Sequence, residues 1–291
     1  MGKEILRVEN LTKLYGKVVG VKNLSLSINE GEIFGFIGPN GAGKSTTIRS
    51  IMNLLNKNSG KVFVCDKEFL KNDIEIKSII GYLPSEINLY DDLTIKEMLD
   101  YHSSFYKNDC SKRRNELVSI LQIDESKKIE DLSLGNLKKL GIVLSFMHEP
   151  KLLILDEPTS GLDPIMQQVF YKLLEEEKNK GTTILYSTHI LGEVSKICDR
   201  VGIIKDGSLI KIESIQDIKN KNLTYITVSS KDNEKILKEL NVEEFEKNDE
   251  TIRFKNTKSS DELIKKLSKF NIDKVLIEEA SLEDLFLHYY R

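Results

Sequence analysis

The chain has 291 residues, with 43 Lys and Arg against 46 Asp and Glu and a formal charge of -3. That length suffices for two domains, and the near balance of charge gives no reason to expect a nucleic-acid partner. Three widely spaced cysteines, Cys65, Cys110 and Cys198, make neither a disulfide framework nor a metal-ligand cluster, no apolar run approaches the ~20 residues of a membrane-spanning helix, and MGKEILRVENL lacks a signal-peptide core, so a soluble intracellular protein is expected.

ILRVENL (5–11) and VKNLSLSI (21–28) read as short strands, the second with half-buried alternation. Tyr15, in the loop after the first, is a candidate for stacking on adenine, although an isolated loop tyrosine ordinarily means little. IFGFI (Ile33–Ile37) reads as a buried strand, GPNGAGKST as a loop and TTIRSIMNLL as a helix. Gly38 to Ser45 match the phosphate-loop pattern G-x-x-x-x-G-K-[ST]. Glycines 38, 41 and 43 let the backbone approach an anion closely, and the helix that follows points unpaired N–H groups at it. Lys44 is expected to reach the terminal phosphates and Ser45 to ligate Mg²⁺. A glycine-rich turn alone is only a turn; the strand, loop and helix order makes it a nucleotide site. KVFVC (61–65) is a further strand before a polar loop, and IIGYLP (Ile79–Pro84) is a buried strand stopped by proline.

The middle reads as helical, forming an insert over about 88–149. Thr94 with Glu97 is a capping-box signature, Ser111 is a candidate cap for KRRNELVSILQI, and a third helix is expected from near Ser133 to Met147. The α/β pattern then returns. KLLILD (151–156) is a continuous apolar strand, IMQQVFYKLLEEEKNKG an amphipathic helix with Gly181 past its end, and TTILYST (182–188) the next strand. VGIIKDGSLI carries a hairpin turn at Asp206-Gly207. The tail, 222–291, reads β-α-β-β-α-β, a ferredoxin-like α+β domain closed by a short helix, SLEDLFLHYY, with Phe286, Tyr289 and Tyr290 as candidate anchors for dimerisation or docking.

Asp156 and Glu157 end the strand KLLILD. A carboxylate at the tip of a buried strand is costly without a partner. Beside a phosphate loop, Asp156 suits Mg²⁺, directly or through water, and Glu157 suits orienting or deprotonating the attacking water. The plainer alternative is a solvated strand edge. His189 follows TTILYST and has the donor and acceptor to sense a γ-phosphate. His102, His148 and His288 read as surface or packing residues.

Over residues 1–212 the chain resembles the nucleotide-binding subunits of ABC transporters. The matching segments are LTKLYG with Tyr15; the phosphate loop of Gly38, Pro39, Asn40, Gly41, Ala42, Gly43, Lys44, Ser45 and Thr46; LLILDEP with Asp156 and Glu157; SGLD, ending at Asp163; and STH with His189. The resemblance implies an α/β P-loop nucleoside triphosphatase core with an antiparallel β subdomain and a helical insert. It implies Mg²⁺-dependent hydrolysis of ATP between two such subunits, the same chain being the favoured second copy. Ser133 and Gly135 of each then touch the γ-phosphate held by the other, and Asp163 lies in a loop that crosses the seam. Separate transmembrane permease subunits are the implied partners, reached through the helical insert and residues 85–91 on the inner face of the cell membrane. The GYLP segment and the extra tail look like those of exporters, including antibiotic-resistance systems.

The departures from the family pattern bear on turnover. The usual Leu-Ser-Gly-Gly-Gln signature is here Leu132, Ser133, Leu134, Gly135, Asn136. Leu134 is expected to hinder close approach, acting as a brake. Lys138 stands where many members have glutamine, as does Ser85, with Glu86 beside it. A soluble ABC-type ATPase, or an ATP-binding regulatory module, is the alternative to transport.

Overall fold

Two kinds of apolar patterning sort the strands into two sheets in the larger of two structural units. Alternating sequences make β1 (Glu4–Tyr15), β2 (Val18–Asn29), β4 (Ser59–Val64) and the short β5 (Lys67–Glu68), an antiparallel sheet in the order β2-β1-β4-β5. Continuous apolar runs make β3 (Ile33–Ile37), β6 (Ile80–Leu83), β7 (Leu152–Asp156) and β8 (Thr183–Thr188). With the hairpin β9 (Arg200–Lys205) and β10 (Ser208–Ser214), these form a second sheet in the order β10-β9-β3-β8-β7-β6. Every pairing from β9 to β6 is parallel, and β10 is an antiparallel edge. Parallel strands are covered on both faces, which is why they lack polar alternation.

The computed structural model describes residues 3–219, 224–242, 244–256 and 259–279. It divides into two units, 1–215 and 216–291. In the first, helix α1 (Lys44–Ile51) buries Ile48 and Ile51 in a core that draws on both sheets: Leu6, Val8, Leu24 and Val62 from one, Phe34, Phe36, Ile154 and Leu185 from the other. The connection from β4 to β6 contains α2 (Ile74–Ser78). Between β6 and β7 lie α3 (Ile95–Ser103), α4 (Ser111–Ile120) and α5 (Leu134–Phe146). Helices α6 (Pro164–Asn179) and α7 (Leu191–Ile197) flank β8, and α8 (Ile215–Lys219) begins at the last residue of this unit. Buried Arg113 of α4 pairs with buried Glu177 of α6 at 2.5 Å, tying the inserted helices to the sheet-flanking layer.

The second unit runs β11 (Thr224–Ser229), α9 (Asn233–Leu240), β12 (Phe245–Asn248), β13 (Thr251–Asn256), α10 (Ser260–Leu267) and β14 (Lys274–Glu279). Its sheet is antiparallel in the order β12-β13-β11-β14. Ile226, Val228, Ile252 and Phe254 pack on Ile236, Leu237, Leu263 and Leu267 to give it a core of its own.

Several local expectations need correction. The polar loop after β4 contains a two-residue turn, with Cys65 and Asp66 both in the left-handed region, that folds β5 back as a hairpin. It also contains α2, capped by Asp73. Ser111 is the first helical residue of α4 rather than its cap; its N–H donates to Asp109 Oδ1 at 2.9 Å. The capping box of Thr94 and Glu97 is present with both of its hydrogen bonds. The terminal helix expected over 281–290, with Phe286, Tyr289 and Tyr290, lies outside the described residues.

Candidate functional site

The loop after β3 is shaped by its backbone. Gly43 has φ 104°, a conformation open to glycine, and a Cβ there would lie 2.5 Å from the Gly20 carbonyl oxygen. It begins α1 with no side-chain cap, and the first turn carries no acidic residue. By contrast, Thr94, Ser133, Asp163 and Ser259 all cap their helices with a side-chain oxygen. The N–H groups opening α1 therefore have no capping side chain in front of them, the disposition that suits a phosphate. Pro39, Asn40 and Gly41 are exposed, and Ala42 is buried. Tyr15 ends β1, about half exposed, with its ring against Gly20; a Cβ on Gly20 would meet Tyr15 Cε2 at 2.8 Å and Thr46 Cγ2 at 3.0 Å. The aromatic ring is thus beside the loop.

Lys44 is buried, and its Nζ donates to the Gly38 carbonyl at 2.7 Å and to the Pro39 carbonyl at 3.2 Å. The same Nζ lies 3.4 Å from Glu157 Oε1. On the other side of Glu157, His189 Nδ1 is 3.1 Å from Oε2. A carboxylate only accepts, so that nitrogen carries the proton. Glu157 has φ 48°, a left-handed backbone that is strained for a residue with a Cβ, and its N–H donates to the Ser187 carbonyl at 3.0 Å. The end of β7 is held there by β8, which delivers His189 at its own C-terminal end. Asp156 is fully buried; Ser187 Oγ donates to its Oδ1 at 3.0 Å, and its Oδ2 has no hydrogen-bond partner among the described residues. An orphaned, buried carboxylate oxygen of this kind fits a cation or its water.

The remaining expected residues form a separate group. Ser133 caps α5 by accepting from the Asn136 N–H at 3.4 Å. Gly135 approaches the loop that contains Gly161, since a Cβ on Gly135 would lie 2.9 Å from the Gly161 carbonyl oxygen. Asp163 caps α6, accepting from the N–H groups of Ile165 at 3.0 Å and Met166 at 2.9 Å. Leu134 is 66% exposed and leans on Gly161; a Cβ on Gly161 would lie 3.0 Å from Leu134 Cγ. The described chain thus brings Lys44, Asp156, Glu157 and His189 together around one loop, and Ser133, Leu134 and Gly135 together at another.

Two residues gain roles that sequence reasoning did not give them. Lys138, buried on α5, donates to the Ser85 carbonyl at 3.0 Å and to those of Pro84 and Glu157 at 3.4 Å. Burial pushes its pKa down, opposed by the charges of Asp156 and Glu157. Glu86, beside Ser85, is exposed. The second is Glu193, a buried carboxylate on α7 bonded to Thr188, next to His189. No local sequence signal marks it, because its partners come from three separate elements.

Residues 21–160 match the family described as ABC transporter. The chain is 34% identical over 294 residues to the bacitracin transport ATP-binding protein BcrA of Bacillus licheniformis, covering 97% of this chain and 96% of that protein. Among solved structures it is similar to an ATP-binding subunit of an ABC transporter, with TM-score 0.70 and 30% identity over 74% of this chain and 92% of that one. A dimeric bacterial ABC transporter cassette matches with TM-score 0.66 and 26% identity, over 72% of this chain and 99% of that one. No described helix is long and apolar enough to cross a membrane.

Proposed function

The chain belongs to the ATP-binding subunits of ABC transporters, ATPases that work as dimers with transmembrane permease subunits, and from that premise we propose that it drives export of a drug or peptide antibiotic. The relative named for bacitracin transport, similar along nearly the whole chain, supports this substrate class. The subunit then lies on the cytoplasmic face of the membrane, held by its permease. Residues 1–215 are the ATP-binding domain, with 88–149 as its helical insert, and 222–291 are a ferredoxin-like domain for docking or dimerisation.

One observation carries the site assignment: Glu157 is held between Lys44 and His189 at the mouth of the phosphate loop. The Lys44 ammonium meets two loop carbonyls and Glu157. Phosphate oxygens compete for that ammonium with charge-assisted hydrogen bonds, the stronger kind. When Lys44 turns to phosphate, Glu157 Oε1 becomes free to accept from water, while His189 keeps Oε2 in place. Glu157 is thereby the general base and His189 its positioner at the γ-phosphate. Tyr15 stacks on adenine, and the N–H groups of residues 41–46 surround the phosphates. Asp156 and Ser45 are the residues that would hold Mg²⁺, which would supply charge compensation for the phosphate oxygens. Ser133, Gly135 and Asp163 face the nucleotide of the second subunit.

Glu157→Gln keeps the shape of the side chain and removes its basicity. Single-turnover hydrolysis should fall by ~100-fold or more, with ATP affinity retained. Turnover equal to the parent's removes Glu157 from the mechanism. Co-purification from membrane with a multi-spanning protein tests the transport assignment.

A further inference from the structure

We propose that Glu193 is a positioning residue that clamps together, from inside the protein, the two loops carrying Glu157 and His189. This inference rests on the catalytic reading of those two residues given above. The Glu193 carboxylate is 5% exposed. Oε1 accepts from Thr159 Oγ1 at 2.7 Å and from the Tyr171 hydroxyl at 3.1 Å. Oε2 accepts from the Tyr186 hydroxyl at 3.0 Å and from Thr188 Oγ1 at 2.7 Å. These four donors are all hydroxyls, drawn from the loop after β7, from α6 and from β8.

A buried carboxylate is expensive in a core that apolar side chains would fill as well. Its donors show what it is used for. Thr188 immediately precedes His189, and the same Thr188 hydroxyl accepts from the Ile190 N–H at 3.0 Å. Both chain neighbours of the histidine are therefore held by one hydroxyl that is itself held by Glu193. Thr159 lies two residues beyond Glu157, across Pro158. The contact of 3.1 Å between His189 and Glu157 joins the same two loops at the solvent side, where the histidine is 45% exposed. An exposed contact of that kind is weak and mobile on its own. Charge-assisted bonds to a buried carboxylate are stronger and give a fixed geometry. Burial and the Glu193 charge both raise the pKa values of Tyr171 and Tyr186, so their phenols stay protonated and remain donors. Catalysis by a positioned base is sensitive to displacements of about 1 Å, so loosening this clamp should act on turnover more than on nucleotide affinity, which the phosphate loop supplies.

The test uses the full-length chain and Mg²⁺-ATP, with kcat and KM measured separately. Glu193→Gln retains shape and leaves only one accepting oxygen. Thr188→Val removes only the hydroxyl between Glu193 and Ile190. Each should lower kcat about tenfold with KM within about twofold, and the double variant should be no slower than either alone, because both break one linkage. Thr188→Ser should restore turnover. The proposal is overturned if kcat of both single variants stays within about twofold of the parent, if their losses multiply, or if KM rises in step with the loss of kcat. Glu157→Gln and His189→Ala, run alongside, separate the two levels: if neither loses turnover, the catalytic reading fails; if both do and the Glu193 and Thr188 variants do not, the clamp alone fails.

Discussion

The two loop groups of the larger unit treat their polar atoms in opposite ways. Around the phosphate loop, charge is buried and largely matched within one chain: Lys44 on Glu157 and two carbonyls, Asp156 on Ser187, Glu193 on four hydroxyls. Around Ser133 to Gly135 the side chains serve helix starts and face solvent, with Leu134 at 66% and Ile165 at 77% exposed. The first group is organised by contacts within the chain. The second is a surface, and what it recognises must come from outside the chain. That asymmetry suits a cassette in which each copy supplies a finished pocket to its own nucleotide and a lid to its partner's. It also predicts different consequences for mutation: large losses of binding or turnover in the first group, modest shifts of association in the second.

Lys44→Ala tests the first side most severely. The ammonium has three close oxygen partners within the chain, and phosphate oxygens would compete with them for it. Affinity for a fluorescent ATP analogue should fall by about 100-fold. Unchanged affinity would mean that the exposed N–H groups of the loop hold phosphate alone. Lys44→Met, which keeps most of the volume, separates the loss of charge from the loss of packing.

Lys138 joins the two regions, because α5 carries Ser133 at its start and Lys138 one turn on. Its ammonium holds the carbonyls of Ser85, Pro84 and Glu157. Lys138→Met leaves those buried acceptors without this donor, at about 1–3 kcal/mol. Melting temperature and ATPase should fall together, and Lys138→Gln should recover part of both. A Met variant with the parent's melting temperature and turnover would show that the carbonyls find water instead, and that the two regions are not coupled through this lysine.

Much of the first region was readable from sequence for a physical reason. Parallel strands covered on both faces require uninterrupted apolar runs, so IFGFI, LLILD and TTILYST stand out, and the functional residues follow directly at their C-terminal ends. Short or hydroxyl-based features were less legible. Helix α2 has five residues and α7 seven, too few for a periodic signal, and the cap position of α4 is Cys110, with no side-chain cap, while Ser111 is already helical and its N–H donates to Asp109. Glu193 was missed because its meaning depends on Thr159, Tyr171, Tyr186 and Thr188 converging from three elements, which no local window contains. Leu134, expected to hinder close approach, is 66% exposed and also leans on Gly161 of its own chain, a contact that sequence spacing does not reveal.

That last contact gives the smallest and most specific prediction, on the second side of the comparison. Gly161 has φ 83°, and a Cβ there would lie 3.0 Å from Leu134 Cγ and 3.2 Å from Cδ2. Gly161→Ala therefore faces two separate penalties, a left-handed backbone of roughly 1–2 kcal/mol and a crowded leucine. Leu134→Ala removes the second penalty and leaves the first. If the leucine were a brake reaching across the seam, shortening it would strengthen ATP-dependent dimerisation in the Glu157→Gln background. The observed packing argues the reverse: the leucine supports the loop holding Asp163, and losing it should weaken dimerisation by about 1 kcal/mol, roughly fivefold. Mass measurement of the ATP-bound dimer across the four combinations of residues 134 and 161 decides the sign. Leu134→Ala should weaken the parent yet partly rescue Gly161→Ala, a coupling expected only if the two side-chain positions share one space. Additive effects, or a tighter dimer on Leu134→Ala alone, would return the leucine to the role of a brake.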